Sequence, residues 1–211
     1  KNCLLNRILI NFMTVSFTLV SVACSCSCAV AGSGAGETGC FTDPRDGRTY
    51  KTVLIGDQWI MAENFAYKPN HGMYWAYDND SSLVALYGYL YDWETARHIA
   101  PEGWHLPSAK EWKRLRRSLG SCMEIMTLER MVYRKMTDGG SSGFNARLGG
   151  LYRFTDNRFA GLGECAYFWS STLSGNGPVN YAFAKKEGYA MLTGYADARG
   201  GKSVRLFRDP E

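Results

Sequence analysis

The sequence predicts an α+β fold, with two helices early in the chain and then a twisted, mainly antiparallel sheet carrying long loops. Three observations carry this expectation. Thr49–Ile55 is a short β-branched run that turns at Gly56-Asp57 and returns through Gln58–Met61, the pattern of a hairpin. Asp92 and Ser108 stand where helices should begin, and Ser108 with Glu111 has capping-box spacing, each side chain able to satisfy the other residue's backbone N–H. The C-terminal third is punctuated by Gly139-Gly140, Gly149-Gly150, Gly161, Gly163, Gly175, Gly177 and Gly200-Gly201, as tight turns between short strands require.

Residues 1–31 read as a secretory signal: Lys1 and Arg7 form the basic start and Ile8–Ala23 is an uncharged, mainly apolar run. No basic stop-transfer pattern follows, so cleavage is expected rather than anchoring through a helix. Two cleavage sites stay open. Ala29-Val30-Ala31 meets the small-x-small rule, whereas Val22-Ala23-Cys24 resembles the end of a bacterial lipobox, with Ser21 where a branched aliphatic residue is usual. Lipidation at Cys24 would tether the protein through a Gly/Ser/Ala-rich leash. Residues 32–40 are expected as a flexible linker and 41–211 as one globular domain, since the length supports one sizeable core but not two.

Within the domain, the hairpin comes first and Pro69–Ser82 follows as a Tyr- and Asn-rich loop. Tyr87–Tyr91 leads into a helix that starts near Asp92 and stops before Pro101. The second helix runs from Ala109 to about Leu119, with Trp112, Leu115 and Leu119 on one face, and Gly120 ends it. Residues 121–137 fit a helix or irregular structure equally. Trp59, Trp104 and Trp112 each lie in an apolar motif tied to a turn or helix and are expected in the core.

Composition narrows the function classes. With 45% hydrophobic and 14% aromatic residues the chain is globular, not disordered. Its formal charge of +4 falls to +2 once Lys1 and Arg7 are set aside. Lys113-Arg114-x-Arg116-Arg117 is the only basic cluster, and on an amphipathic helix it is a solvated face, so nucleic acid is not an expected partner.

Several apparent catalytic patterns fail on context. Gly139-Gly140-Ser141-Ser142-Gly143 matches G-x-S-x-G but has polar loop residues on both sides, whereas a nucleophile elbow joins a buried strand to a helix. Gly161-x-Gly163-x-x-Ala166 leads into the strand-like Tyr167-Phe168-Trp169 rather than a helix, which excludes a dinucleotide turn. Asp78-Asn79-Asp80 offers hard oxygen ligands suited to calcium, but Tyr89 stands where an EF-hand needs Glu, and an Asx turn accounts for the run better. No cofactor is therefore expected. His71, His98 and His105 form no metal motif, and His105 between Trp104 and Leu106 reads as a packed histidine.

Among the seven cysteines, Cys24, Cys26 and Cys28 lie in or beside the leader and lack zinc-module spacing. In an oxidising compartment Cys122 and Cys165 are the expected disulfide partners, because Cys40 sits at the domain's edge.

The run Ala100-Pro101-Glu102-Gly103-Trp104-His105-Leu106-Pro107-Ser108-Ala109-Lys110-Glu111-Trp112 is the most distinctive in the chain. With Gly56–Asn64 upstream and Gly143-Phe144-x-Ala146-x-Leu148-Gly149-Gly150, Tyr167–Thr172, Lys202-x-x-Arg205 and Arg208-Asp209 downstream, it resembles the Fibrobacter succinogenes major paralogous domain (FISUMP) family across about Phe41 to Asp209. That resemblance implies a C-type-lectin-like fold, which formylglycine-generating enzymes also use. The enzymes' paired cysteines near the C-terminal end have no counterpart here, and the E-P-N, Q-P-D and W-N-D motifs of calcium-dependent lectins are missing. Cysteines that family members often carry are replaced by Ala76, Ala100 and Leu206.

In bacterial surface proteins with a similar fold, a variable C-terminal segment displays the ligand-facing residues. Phe168–Arg205 is comparable, so Trp169, Asn176, Asn180, Tyr181, Tyr189 and Tyr195 are the expected ligand contacts, residue types that give area and hydrogen bonds at modest entropic cost. The leading expectation is an exported, non-catalytic ligand-binding or adhesion module of the bacterial cell surface or periplasm. Its partner would be a protein or a glycan, and it would meet membrane only through a lipid anchor. An extracytoplasmic enzyme and a structural subunit of a surface assembly are the alternatives.

Overall fold

Strands from both ends of the chain share one sheet. The computed structural model describes residues 36–120, 126–186 and 188–209, except the side chains of 126–129. In chain order the elements are β1 (Thr38–Thr42), β2 (Thr49–Ile55), β3 (Gln58–Met61), β4 (Tyr74–Trp75), the single turn α1 (Val84–Tyr87), β5 (Leu90–Tyr91), α2 (Trp93–His98), β6 (Trp104–His105) and α3 (Ala109–Ser118). There follow α4 (Met126–Met136), β7 (Gly149–Arg153), β8 (Arg158–Leu162), β9 (Cys165–Ser174), β10 (Gly177–Ala184), β11 (Tyr189–Tyr195) and β12 (Phe207–Arg208). The first sheet has the order β1-β2-β3-β12-β6 and the second β11-β10-β9-β7-β8, while β4 and β5 form a small ribbon. All pairings are antiparallel except β7 with β9. The α+β class and the antiparallel sheets agree with the sequence reading.

The hairpin β2–β3 forms with Ile55 opposite Gln58, so Gly56-Asp57 is its turn. Asp92 caps α2 by accepting from the Thr95 N–H, and α3 opens on the complete capping box of Ser108 and Glu111. Two expectations change. Regular pairing starts at Thr38, within the stretch 32–40 expected as a linker, because Thr38–Thr42 adds an edge strand to β2. A further helix, α4, occupies part of the ambiguous 121–137, held by Val132 and Met136, which are one turn apart and buried.

Two buried clusters lie on either side of β9. Trp112 centres the first: its ring stands 5.0 Å from Tyr181, 5.5 Å from Phe207, 5.9 Å from Phe168 and 6.0 Å from Phe144. The second gathers Tyr50, Phe65, Tyr91, Trp93, Trp104 and Trp169. Phe168 and Trp169 point to opposite faces of the same strand, and both are fully buried because β9 has a cluster on each side.

The last residues join the sheets. Gly201 bridges Tyr152 in β7, Lys202 bridges Tyr91 in β5, Ser203 bridges Phe168 in β9, and Phe207 pairs with both Ile60 and His105. Arg205 is fully buried in this segment and donates to Asn64 Oδ1 at 2.9 Å and to the carbonyls of Met61 at 3.0 Å, Asn145 at 2.6 Å and Phe144. Its guanidinium lies 4.5 Å from the Phe144 ring centroid. Burial lowers its pKa to about 9, which leaves it protonated at neutral pH.

Candidate functional site

The junction that is most distinctive in sequence becomes a clamp between β6, α3 and the C-terminal strand. His105 Nε2 lies 2.7 Å from Glu111 Oε1 and its Nδ1 lies 2.6 Å from Asp209 Oδ1. A carboxylate only accepts, so the ring satisfies both partners when it carries both protons. The hydrogen bond to Glu111 raises the His105 pKa, burial opposes it, and Asp209 adds to the rise. Burial alone would raise Glu111, but hydrogen bonds from His105 and Ser108 outweigh it and bring its pKa down to about 2. The N–H and hydroxyl of Ser108 both donate to Glu111 Oε2 at 2.7 Å. Strand β9 fixes the same corner, as Ser171 N donates to the Pro107 carbonyl and Ala109 N to Thr172 Oγ1, both at 2.9 Å.

This clamp adjoins two open clefts that meet at Trp59. One, of about 430 Å³, is lined by Phe41, Thr52, Trp59, Glu102, Trp104 and Arg208 among others. The other, of about 530 Å³, includes Leu54, Asp57, Gln58, Trp59, Glu111 and Asp209 in its walls, and Arg114 pairs with Asp57 there. Both volumes lie in the range of small-ligand sites. Strand alternation produces the arrangement: Ile60 faces the Trp112 cluster, so its neighbour Trp59 faces the other way. The indole reaches across β2 towards Gly39, where an added Cβ would lie 3.5 Å from the ring and 2.9 Å from Thr52 Oγ1. A Cβ at 39 would therefore touch the ring at ordinary van der Waals distance and crowd the Thr52 hydroxyl.

Trp104 and Trp112 are buried as expected, but Trp59 is only half-buried and belongs to a cleft wall rather than to the core. The alternation of β3 was the signal that could have placed it.

The expected C-terminal contact surface is corrected in part. Trp169 is fully buried and donates its indole N–H to the Tyr91 carbonyl at 2.7 Å. Tyr181 is 2% exposed, stacks on Trp112 and donates to the Ala109 carbonyl, and Asn180 is 4% exposed in the middle of β10. These three pack the sheet, because β10 lies between β9 and β11. Asn176, Tyr189 and Tyr195 remain outside or half outside, yet they are divided. Tyr189 opposes Ala184 and Tyr195 opposes Val179, at opposite ends of β11 and roughly 20 Å apart along the strand. Asn176 shares the Tyr195 end, in the β9–β10 turn.

The remaining candidates fall into place locally. Ser142 closes the end of α4, its hydroxyl donating to the Lys135 carbonyl at 2.6 Å, and no helix follows Ser141. Gly161 and Gly163 belong to the bend between β8 and β9. Asp80 accepts from Ser82 N at 2.9 Å, the Asx geometry expected of Asp78-Asn79-Asp80. Among the described residues no group of three or more His, Cys, Asp or Glu side chains is arranged to hold a metal ion. Cys165 is half-buried beside the Gly161 carbonyl, while Cys24 and Cys122 lie outside the described residues. Lys202 is buried with its ammonium 4.8 Å from the Trp169 ring and 5.1 Å from that of Tyr167, and burial lowers its pKa to about 8.

Comparison with known families gives one match: the Fibrobacter succinogenes major domain, over residues 53–208, roughly three quarters of the chain. That span covers the turn and return strand of the hairpin, His105 and Glu111 of the clamp, α2, α3 and the C-terminal stitch. No curated protein and no solved structure matches.

Proposed function

This chain belongs to the Fibrobacter succinogenes major domain family, and on that premise we propose that it is an exported, non-catalytic ligand-binding or adhesion module of the bacterial cell surface or periplasm. The reading includes a C-type-lectin-like architecture, favoured by a last strand, β12, that returns to the sheet begun by β1–β3. The observation that carries the reading is the pair of clefts meeting at the half-buried Trp59, an aromatic ring held against a rigid sheet with charged groups on both sides. Binding sites concentrate where such rings stay accessible on a fixed scaffold.

The titratable groups beside the clefts favour binding over catalysis. Both nitrogens of His105 are engaged by carboxylates, so neither is available to take a proton from a nucleophile, and the Ser108 hydroxyl donates to Glu111, whose pKa of about 2 makes it a weak base. The leader supplies the export route, with either cleavage after Ala31 or lipidation of Cys24. No cofactor is part of the proposal.

Retention of the purified protein on bacterial cell envelopes and on insoluble polysaccharides tests it, comparing wild type with Trp59→Ala and Tyr195→Ala. Loss of retention in Trp59→Ala, with an unchanged unfolding midpoint, is the expected result. Retention by both variants at wild-type level refutes the placement of the site, and no retention of the wild type on any surface refutes the binding reading.

A further inference from the structure

Among the side-chain polar atoms of the described residues, two are buried without a hydrogen-bond partner: Trp112 Nε1 in the centre of the core, and Gln58 Oε1. Gln58 is 8% exposed and its Oε1 is closed off from solvent, on the Ile55 and Ile60 face of the hairpin rather than the Trp59 face, so it is a plain penalty on stability. The accessible group in this wall is the Trp59 ring, which borders both clefts.

The charges around the same ring are balanced. The second cleft presents Asp57, Glu111 and Asp209 against Arg114, Arg208 and the clamped His105, and the first adds Glu102 near Arg208. Such a wall gives no net attraction to a polyanion or a polycation. It suits groups that donate and accept at once, because a hydroxyl can give its proton to a carboxylate and receive one from a guanidinium. Leu54 and Phe41 are the more accessible apolar walls beside Trp59, since Trp104 and Phe207 are almost wholly buried, and they do not make the continuous apolar stripe that an amphipathic helix needs. From the flat indole bordering two open clefts and the balanced charges around it, we infer that the site takes a neutral oligosaccharide, one sugar ring stacked on Trp59 and the neighbouring units lying in the clefts on either side. This rests on the binding reading above and adds the chemistry of the ligand.

The test is a titration of the purified protein, followed by tryptophan fluorescence and calorimetry, with cellohexaose, xylohexaose, mannohexaose, maltohexaose and chitohexaose. Polygalacturonate serves as the charged comparison. At least one neutral hexasaccharide should bind, and Trp59→Ala should weaken it about tenfold or more, the scale of one aromatic contact and its desolvation. Gly39→Val should also weaken binding, by displacing the ring from β1. Absence of binding by every neutral hexasaccharide at millimolar concentration overturns the inference. If retention on cell envelopes still depends on Trp59 in that case, the ligand is a protein and the broader reading survives. Sugar binding untouched by Trp59→Ala overturns the inference that the sugar sits on Trp59.

Discussion

Replacing Trp112 with alanine gives the sharpest test of how this fold is held. Trp112 is fully buried, and four aromatic rings stand within 5.0 to 6.0 Å of its own, contributed by Phe144, Phe168, Tyr181 and Phe207 from both sheets and the loop between them. Truncating a buried tryptophan costs about 3–5 kcal/mol. The indole N–H here has no acceptor, so its removal returns about 1 kcal/mol, the low end of the desolvation penalty of such a group, and the net loss falls to about 2–4 kcal/mol. At about 2–4 °C per kcal/mol for a domain of this size, the unfolding midpoint should drop by about 4–16 °C. Trp112→Phe keeps most ring contacts and discards the orphaned donor, so it should lose less than about 1.5 kcal/mol. Thermal and urea unfolding followed by circular dichroism measure both variants. An unchanged midpoint for Trp112→Ala, or equal damage from the two substitutions, would refute the reasoning.

Arg205→Leu should destabilise by at least about 3 kcal/mol, because it strips donors from Asn64 and from the Met61, Phe144 and Asn145 carbonyls at once; a loss under about 1 kcal/mol in urea titrations contradicts this. The His105 clamp should make stability depend on pH in two directions. The raised His105 pKa means that its share is complete below its ordinary 6.5 and fades as pH climbs through the raised value. Glu111, lowered to about 2, contributes fully above its ordinary 4.5 and loses its share as pH falls towards 2. The groups are partly exposed, so each limb amounts to about 1 kcal/mol or less, and a His105→Ala variant whose alkaline decline matches wild type would disprove the assignment. Mass spectrometry of the protein from its native host should find a start near Gly32 or a lipidated Cys24, and recovery of an intact Lys1 segment in the cytoplasm would defeat the export proposal.

Local chemistry made much of the fold legible. A capping box such as Ser108 with Glu111 names a helix start by itself, and a turn such as Gly56-Asp57 between β-branched runs names a hairpin, because in both the signal lies within a few residues. Helix α4 was ambiguous since, among the described residues, its packed side is Val132 and Met136 with half-buried Tyr133, and Met131 is left 36% exposed. The contact surface was misplaced for a different reason. Trp169 and Tyr181 have the composition of a binding surface, but what they do depends on whether a strand lies at the centre or the edge of its sheet, and strand order is a property of distant pairings. Trp59 is the converse case, a residue assigned to the core by its neighbours and turned outward by the period of a four-residue strand.

The C-terminal stitch has a consequence for how the molecule is made. Residues 201–207 bridge β7, β5 and β9 and fill the gap between β3 and β6, so the first sheet cannot close, nor the two sheets join, until this segment is in place. The half-made chain is therefore an open assembly of hairpins whose two aromatic clusters lack their common wall. A domain built this way can form its hairpins locally, but it joins them only through contacts far apart in sequence. Non-local closure of that kind is the slow folding behaviour that high sequence separation imposes.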